Sequence, residues 1–507
     1  MQEHFALLAL DGMINAVMPY HLALAAFGIV IGIIVGALPG LSSTTACALL
    51  VPMTFTMEPS TGLILLGAIW TGAIYGGSNA AILLNIPGTP SSVATAFDGY
   101  PMTKNGQGER ALFTGLLSSV VGGLVGVLIL LFAFAPLAVL SVKFGKAEFF
   151  WLCVFGLSTI AAMSSDNCAK GLLGGCIGLM LGTIGLDPVI GVPRFTYGFD
   201  SLIDGVQLVP ALIGIFAFAQ VLELTQQRKA VIAEYKKTPN LFVSVVRELF
   251  QKCKINLARS SLIGSFIGML PGAGGPVASL ISYSEAVRWD KNPARFGKGA
   301  VDGVVASEAA NNAVIGGSLV PMMGLGIPGC ATAAVVMSGL LVHGIIPGSK
   351  LLTESAPIAY TFIMSLVVAN VLMLIIGFWM LRLSANLLRV PVRWIVPMVI
   401  ILAAIGSYSL RNSMVDVYVM VACGIGSFFL GKVGVEAGPI SLGLVLGPIV
   451  EDALNISLTM VRAKGSYLEV FLFRPLCLLF IALTILSLAA PALQRRKMLR
   501  AAERGNS

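Results

Sequence analysis

The apolar runs of this chain set its architecture. Nearly uninterrupted stretches span 111–142, 357–381, 394–410 and 475–493. Each is close to or above the roughly 20 residues an α-helix needs to cross a bilayer. With 57% of its 507 residues hydrophobic and 11% charged, against about 25% charged in soluble domains, the chain cannot bury this surface in one water-soluble core. The expected fold is an all-α polytopic membrane protein of about ten to twelve crossings.

Charge placement follows the same logic. No Lys or Arg precedes Lys104, whereas Arg228, Lys229, Lys236, Lys237, Arg247, Lys252, Lys254 and Arg259 crowd 223–260 and Arg495, Arg496, Lys497, Arg500 and Arg504 the tail. The positive-inside rule puts both segments in the cytoplasm. The expected division is a first membrane repeat (1–222), a basic linker (223–260), a second repeat (261–493) and a basic tail (494–507). Within the linker, "NLFVSVVRELFQK" has helical apolar spacing and reads either as a surface-lying helix or as a plain linker helix. The net charge of +8 is accounted for by topology and does not suggest nucleic acid. The N-terminus shows neither a basic n-region nor a small-residue cleavage site, so no cleaved signal is expected. Eight scattered cysteines without a Cys-x-x-Cys and three distant histidines indicate neither a disulfide framework nor a transition-metal site.

The chain also spells one phrase twice. "IGIIVGALPG" (31–40) and "IGSFIGMLPG" (263–272) share six of ten positions, 232 residues apart. Gly76-Gly77-Ser78 matches Gly316-Gly317-Ser318 at an offset of 240, and Ile86-Pro87-Gly88 matches Ile327-Pro328-Gly329 at 241. Paired Gly/Pro interruptions in an internal repeat are the usual pointer to a secondary transporter's binding site. Pro removes a backbone donor and Gly permits non-helical angles. Such broken backbone survives at membrane depth only inside protein or beside a wet cavity. Hydroxyls and caps follow the breaks: Leu41-Ser42-Ser43-Thr44-Thr45, Thr89-Pro90-Ser91-Ser92 and Gly275-Pro276. Helix N-termini offer free N–H groups and a positive dipole end to an anion, so four converging ends would hold a carboxylate without a buried Arg. The plainer alternative is ordinary kinks with satisfied caps. Glycines every four residues (Gly28, Gly32, Gly36, Gly40; Gly264, Gly268, Gly272) read as close helix packing.

Ionisable and amide side chains at membrane depth are costly. Glu308, Asn311 and Asn312 share one helix face and offer the oxygens a hard cation such as Na⁺ takes; interhelical hydrogen bonding is the alternative. At an offset of 240 the position matching Glu308 is Ala68, so an acidic site is asymmetric. "GLGIPG" (324–329) lacks the βαβ setting of a dinucleotide site, and no G-x-S-x-G, H-E-x-x-H or Walker A sequence occurs. No enzyme activity is expected.

The long phrases "GALPGLSSTTACALLVPMTF", "GAIYGGSNAAILLNIPGTPSSVATAFDGYPM" and "GMLPGAGG…EAANNA…GLGIPG…HGIIPG" resemble the large membrane subunit of tripartite tricarboxylate transporters, the TctA family, over nearly the whole chain. The resemblance implies a permease in the bacterial inner membrane with inverted repeats and elevator-type motion. The residues alone leave parallel or inverted repeats open. It also implies a small four-helix membrane subunit and a periplasmic solute-binding protein as partners. The implied activity is uptake of a tri- or dicarboxylate such as citrate, driven by a cation gradient, commonly Na⁺, with no other cofactor.

The motifs then map onto Pro39 and Gly40, Pro87 and Gly88, Pro271 and Gly272, and Pro328 and Gly329. Ser42, Ser43, Asn79, Asn85, Thr89, Ser91, Gly274, Ser279 and Thr332 complete the candidate substrate site, and Glu308, Asn311 and Asn312 form the candidate cation site. A carboxylate channel and a non-transporting scaffold or sensor subunit are the alternative functions.

Overall fold

The computed structural model describes residues 2–38, 40–163, 168–225, 241–387, 392–464 and 466–489. In chain order its helices are α1 (Gln2–Ala16), α2 (Pro19–Ala37), α3 (Ser43–Leu50), α4 (Pro59–Leu84), α5 (Val93–Lys104), α6 (Gly108–Ser141), α7 (Lys146–Met163) and α8 (Cys168–Gly182). A small hairpin, β1 (Gly185–Leu186) with β2 (Pro193–Arg194), precedes α9 (Leu208–Leu212) and α10 (Ala219–Leu224), which are joined by a π-helical turn at Ile213–Phe218. There follow α11 (Leu241–Gln251), α12 (Lys254–Met269), α13 (Gly274–Trp289), α14 (Val301–Leu325), α15 (Ala331–Val342), α16 (Ser349–Thr353) and α17 (Ala356–Leu387). The last group is α18 (Val392–Ser409), α19 (Met414–Lys432), α20 (Ala437–Lys464), α21 (Tyr467–Phe471) and α22 (Pro475–Ala489). Among the described residues, six helices are long and apolar enough to cross a membrane, with several shorter apolar helices beside them. The chain is an all-α membrane protein.

Glycine decides how the central helices approach. A Cβ on Gly32 would lie 2.3 Å from Ile69 O, and one on Gly36 would lie 2.1 Å from Ala73 O. Backbone thus touches backbone between α2 and α4, and the rising residue numbers make the two helices parallel. In the second half, Gly264 meets Ala310 O at 2.2 Å and Gly268 meets Val314 O at 2.8 Å, so α12 and α14 repeat the arrangement. Gly108 and Gly115 of α6 face Leu83 and Ser78 of α4, an antiparallel pair, whereas Gly122 and Gly126 face Ala309 and Ala313 of α14, a parallel one. It follows that α4 and α14 run in opposite directions.

The matched contacts correct one sequence-based correspondence. Ile69 and Ala73 answer to Ala310 and Val314, and Gly76, which meets Ile33 O, answers to Gly317, which meets Ser265 O. Along α4 and α14 the offset is therefore 241 throughout, not 240 at Gly-Gly-Ser. Gly77 corresponds to Ser318, and Glu308 to Gly67 rather than Ala68. Close helix contact fixes register, and the shared Gly-Gly-Ser letters do not.

The long helix after each broken pair crosses to the other half. α6 packs on α14, and α17 packs on α4, where Phe362 and Leu366 fill the space above Gly67. The most apolar window of α4 is buried completely, that of α19 only 22%, so α4 lies at the centre and α19 at the periphery. α11 lays Leu241, Val245 and Leu249 into the core beside α6, so this helix is docked on the membrane body. Arg228, Lys229, Lys236, Lys237 and the basic tail lie outside the described residues.

Salt bridges tie the loop side together. Arg194 pairs with Glu451 (2.6 Å) and Asp187 (3.2 Å), Lys146 with Asp452 (2.6 Å), and Arg474 with Glu148 (3.0 Å). The N–H groups of Ile190 and Val189 hold the Asp187 carboxyl below the usual carboxylate range. Glu451 and Asp452, adjacent on α20, thus anchor structure.

A buried carboxylate ties the halves on the opposite side. Asp98 on α5 is fully buried and accepts the N–H groups of Gly299 (2.8 Å) and Ala300 (2.7 Å) and the Tyr283 hydroxyl (2.9 Å). It thereby caps α14 from a distant segment. Asp98→Ala leaves three donors without their acceptor, at a cost of about 1–3 kcal/mol for each buried one. Thermal unfolding in detergent should show a clear drop in melting temperature; an unchanged curve would contradict the capping role.

Candidate functional site

Each half breaks its helices twice. After α2 the backbone extends at Leu38, turns through Gly40 (φ 86°) and restarts at Ser42, whose Oγ accepts the Thr45 N–H at 3.1 Å. After α12 it extends at Leu270, turns through Gly272 (φ 82°) and restarts at Gly274. α4 ends on Asn85 in the left-handed region (φ 58°) and α14 ends on Gly326 (φ 75°); a short polar side chain or none suits that conformation. The following segments fold back alike. Gly88 N–H donates to Gly77 O (3.1 Å) and Gly329 N–H to Ser318 O (3.3 Å). Thr89 and Cys330 then open the next helical segments, Cys330 Sγ accepting the Ala333 N–H.

These four restarts converge. A cavity of about 940 Å³ is lined by Ser42, Ser43 and Thr44 at the start of α3, Thr89 and Ser91 before α5, Gly272, Gly274, Gly275 and Pro276 at α13, and Cys330 and Thr332 at α15. Contacts between the halves close its floor: Thr44 Oγ1 lies 2.7 Å and Ser43 Oγ 3.4 Å from Thr332 Oγ1. The opposite wall comes from the π turn, α10, α19 and α20, with Ile215, Phe216, Gln220, Ser427, Phe428 and Leu442. Gln220 Oε1 accepts from Thr45 (2.7 Å), and Ser427 donates to Ile215 O (3.1 Å), a carbonyl of the π turn. Glu223, Lys432 and Glu436 stand exposed at the mouth. Because Glu223 lies in the last turn of α10, the mouth faces the side where the chain enters the basic linker.

Of the sequence candidates, Ser42, Ser43, Thr89, Ser91, Gly272, Gly274 and Thr332 line this cavity. Gly40, Pro87, Gly88, Pro271, Pro328 and Gly329 shape the turns beneath it. Ser279 donates to Gly275 O (2.8 Å) inside α13, and Asn79 is buried within α4. Asn85 is exposed and serves as the helix-ending residue. Pro39 lies outside the described residues. The sequence reading missed the entire opposite wall and the charged mouth. The π turn has no motif, and Lys432 looks like any cation ending an apolar helix.

Glu308 lies behind the cavity, fully buried. Its Oε1 accepts from Thr95 Oγ1 (2.5 Å) and its Oε2 from Ser119 Oγ (2.9 Å). Asn312 Nδ2 donates to Glu308 O at 3.3 Å. Asn312 Oδ1, like Ser118 Oγ and Thr114 Oγ1 on α6, is buried without a hydrogen-bond partner, and the Asn311 amide stands beside the Glu308 carboxylate. Asn311 links the two places: a Cβ on Gly275 of the cavity wall would lie 2.7 Å from Asn311 Oδ1 and 2.6 Å from Ser91 Cβ. The set is all oxygen and amide, the donor chemistry of a hard cation. No group of three or more His, Cys, Asp or Glu side chains that could hold a metal occurs among the described residues.

Fold and cavity together define a multi-helix membrane protein whose broken helices enclose a chamber with hydroxyls and helix starts on one wall and largely apolar side chains on the other. Residues 22–442 match the family model of the tripartite tricarboxylate transporter TctA family. The chain belongs to that family, and is thus a membrane subunit of a tripartite transporter type rather than a member of an enzyme family. It is similar to an uncharacterized 52.8 kDa protein in the TAR-I ttuC' 3' region of Agrobacterium vitis, 36% identical over 465 residues covering 92% of each chain. A second Agrobacterium vitis protein, uncharacterized and in the TAR-II ttuC' 3' region, is 37% identical over 213 residues, covering 42% of this chain and 87% of its own. No solved structure matches the chain.

Proposed function

We propose that this chain is the permease through which a tri- or dicarboxylate, citrate among the candidates, crosses the bacterial inner membrane, driven by an inward cation gradient, with Na⁺ as the coupling ion. The observation that carries the reading is the convergence of four helix starts and their hydroxyls on one cavity, with no Lys or Arg at its floor. Free N–H groups and positive dipole ends hold a carboxylate there without a fixed cation that would trap it. Bound at Glu308, Asn311 and Asn312, the cation lies next to the anion and offsets its charge, so the loaded site crosses more readily than the half-loaded one.

The opposed directions of α4 and α14, with contacts matched at one offset, support two inverted repeats. In this reading the helices around the breaks move as a body against α7–α10 and α18–α22, elevator-fashion, and the mouth at Glu223 and Lys432 opens to the cytoplasm. The partners are a small four-helix membrane subunit and a periplasmic solute-binding protein that delivers the substrate.

The test is uptake of labelled citrate into proteoliposomes holding this chain and its small subunit, with purified binding protein, with and without an inward Na⁺ gradient. Uptake that needs both supports the reading. Gradient-independent flux would replace it with a channel, and no flux of any acid the binding protein holds would replace it with a scaffold. Thr44→Val with Thr332→Val removes the hydroxyl pair of the floor. The apparent KM should rise about tenfold, equivalent to about 1.4 kcal/mol; an unchanged KM places the anion elsewhere.

A further inference from the structure

We propose that the loop at 183–207 is the docking surface for the periplasmic solute-binding protein, an assignment that rests on the tripartite reading above. Its apolar side chains point outward. Tyr197 is 84% exposed, Ile190 70%, Val189 66% and Phe199 63%, while Thr196 between the aromatics is buried. Isolated exposed apolar residues need no explanation, but a contiguous patch marks an interaction site.

The loop is built to hold this display. Phe195 (φ 52°) and Tyr197 (φ 49°) both adopt the left-handed region, which bulky residues rarely enter. Such strain persists only where the surroundings enforce it, and it gathers at binding sites. Here the surroundings are the β1–β2 pairing, Asp187 Oδ1 accepting the Val189 (2.8 Å) and Ile190 (3.0 Å) N–H groups, and Arg194 locked between Asp187 and Glu451 of α20. A rigid loop pays little ordering entropy on binding.

Three observations select the occupant. First, the loop lies at the opposite end of the α9–α10 span from the basic linker. Those 17 residues, Leu208–Leu224, cover about 25 Å at 1.5 Å per residue. That face is where a soluble partner delivering substrate from outside arrives, beyond reach of a subunit packed between helices in the bilayer. Second, hairpin and turn backbone exposed to lipid would leave polar groups that hydrocarbon cannot satisfy. Third, carboxylates edge the patch, with Asp200 and Asp204 both exposed and Asp204 3.4 Å from Arg411. An apolar centre inside a charged rim is the anatomy of a protein–protein interface, and this rim calls for a partner surface with basic residues around an apolar hollow.

The experiment titrates labelled solute-binding protein of the same system onto nanodiscs holding this chain with its small subunit. Tyr197→Ala/Phe199→Ala should raise Kd at least tenfold without changing thermal unfolding. Trp379→Ala, on the lateral face of α17, should leave Kd unchanged. Wild-type affinity in the double variant would overturn the proposal, as would no binding to wild type. Blue-shifted, brominated-lipid-quenched emission unique to Tyr197→Trp in nanodiscs without the binding protein would assign the loop to the membrane instead. Cross-links from Tyr197→Cys to a second copy alone would assign it to self-association. The readout is binding, not flux, so failed uptake with binding intact would sink the transport mechanism and leave the docking surface standing.

Discussion

Gly36→Val should leave almost no folded protein in the membrane fraction. A Cβ at Gly36 would sit 2.1 Å from Ala73 O, against backbone that cannot swing aside. α2 and α4 would have to separate by an ångström or more. Separation would also open the turn at Gly88, where an added Cβ would meet Gly36 O at 2.5 Å. Overpacking a core costs about 1–3 kcal/mol where side chains can shift, and here only helices can. Gly264→Val, 2.2 Å from Ala310 O, should fail in the same way. Gly426→Ala is the control: nothing lies within 4 Å of the added Cβ at this half-buried position, and Ala is favoured over Gly inside a helix by about 1 kcal/mol. Size-exclusion profiles of fluorescent fusions give the answer. Monodisperse Gly36→Val would mean that the α2–α4 contact is not as close as described.

Glu308→Gln should keep the fold and lose coupled uptake by about 100-fold or more, equivalent to about 2.8 kcal/mol. Gln has the same shape and still accepts from Thr95 or Ser119, so thermal unfolding should move little. What disappears is the only side chain among Glu308, Asn311 and Asn312 that can carry a negative charge beside a cation. Without it a cation placed there has no counter-charge in a medium where an isolated ion is costly to bury. Binding of citrate at saturating Na⁺ should weaken in parallel, while any Na⁺-independent binding should survive. Full uptake by Glu308→Gln would remove Glu308 from the coupling site and leave it a structural acceptor for two hydroxyls.

Much of the floor of the cavity was legible in the sequence, because breaking a membrane helix demands Pro and Gly and capping the restart demands Ser or Thr. Ser42, Thr89 and Thr332 announce themselves by following such breaks. Phe216, Gln220 and Ser427 do not. They come from α9–α10 and α19, whose composition is that of ordinary apolar helices, and only three-dimensional packing brings them opposite the breaks. Asn85 shows the converse. An amide beside a motif reads as a ligand, but its left-handed backbone and exposed side chain make it a helix terminator. Register was likewise beyond the letters: Gly-Gly-Ser aligns at 240, but the contacts of Gly76 and Gly317 align at 241.

The exchange of α6 and α17 between the halves also bears on how the protein is made. α4 finishes at Leu84, and the helix that covers it starts at Ala356. At a synthesis rate of about 5–20 residues per second, α4 waits tens of seconds for its neighbour. Gly67, over which Phe362 and Leu366 finally pack, spends that interval without its cover. Neither half is a finished object until the other has been inserted, so assembly is dominated by contacts between distant parts of the chain, the regime in which folding is slow.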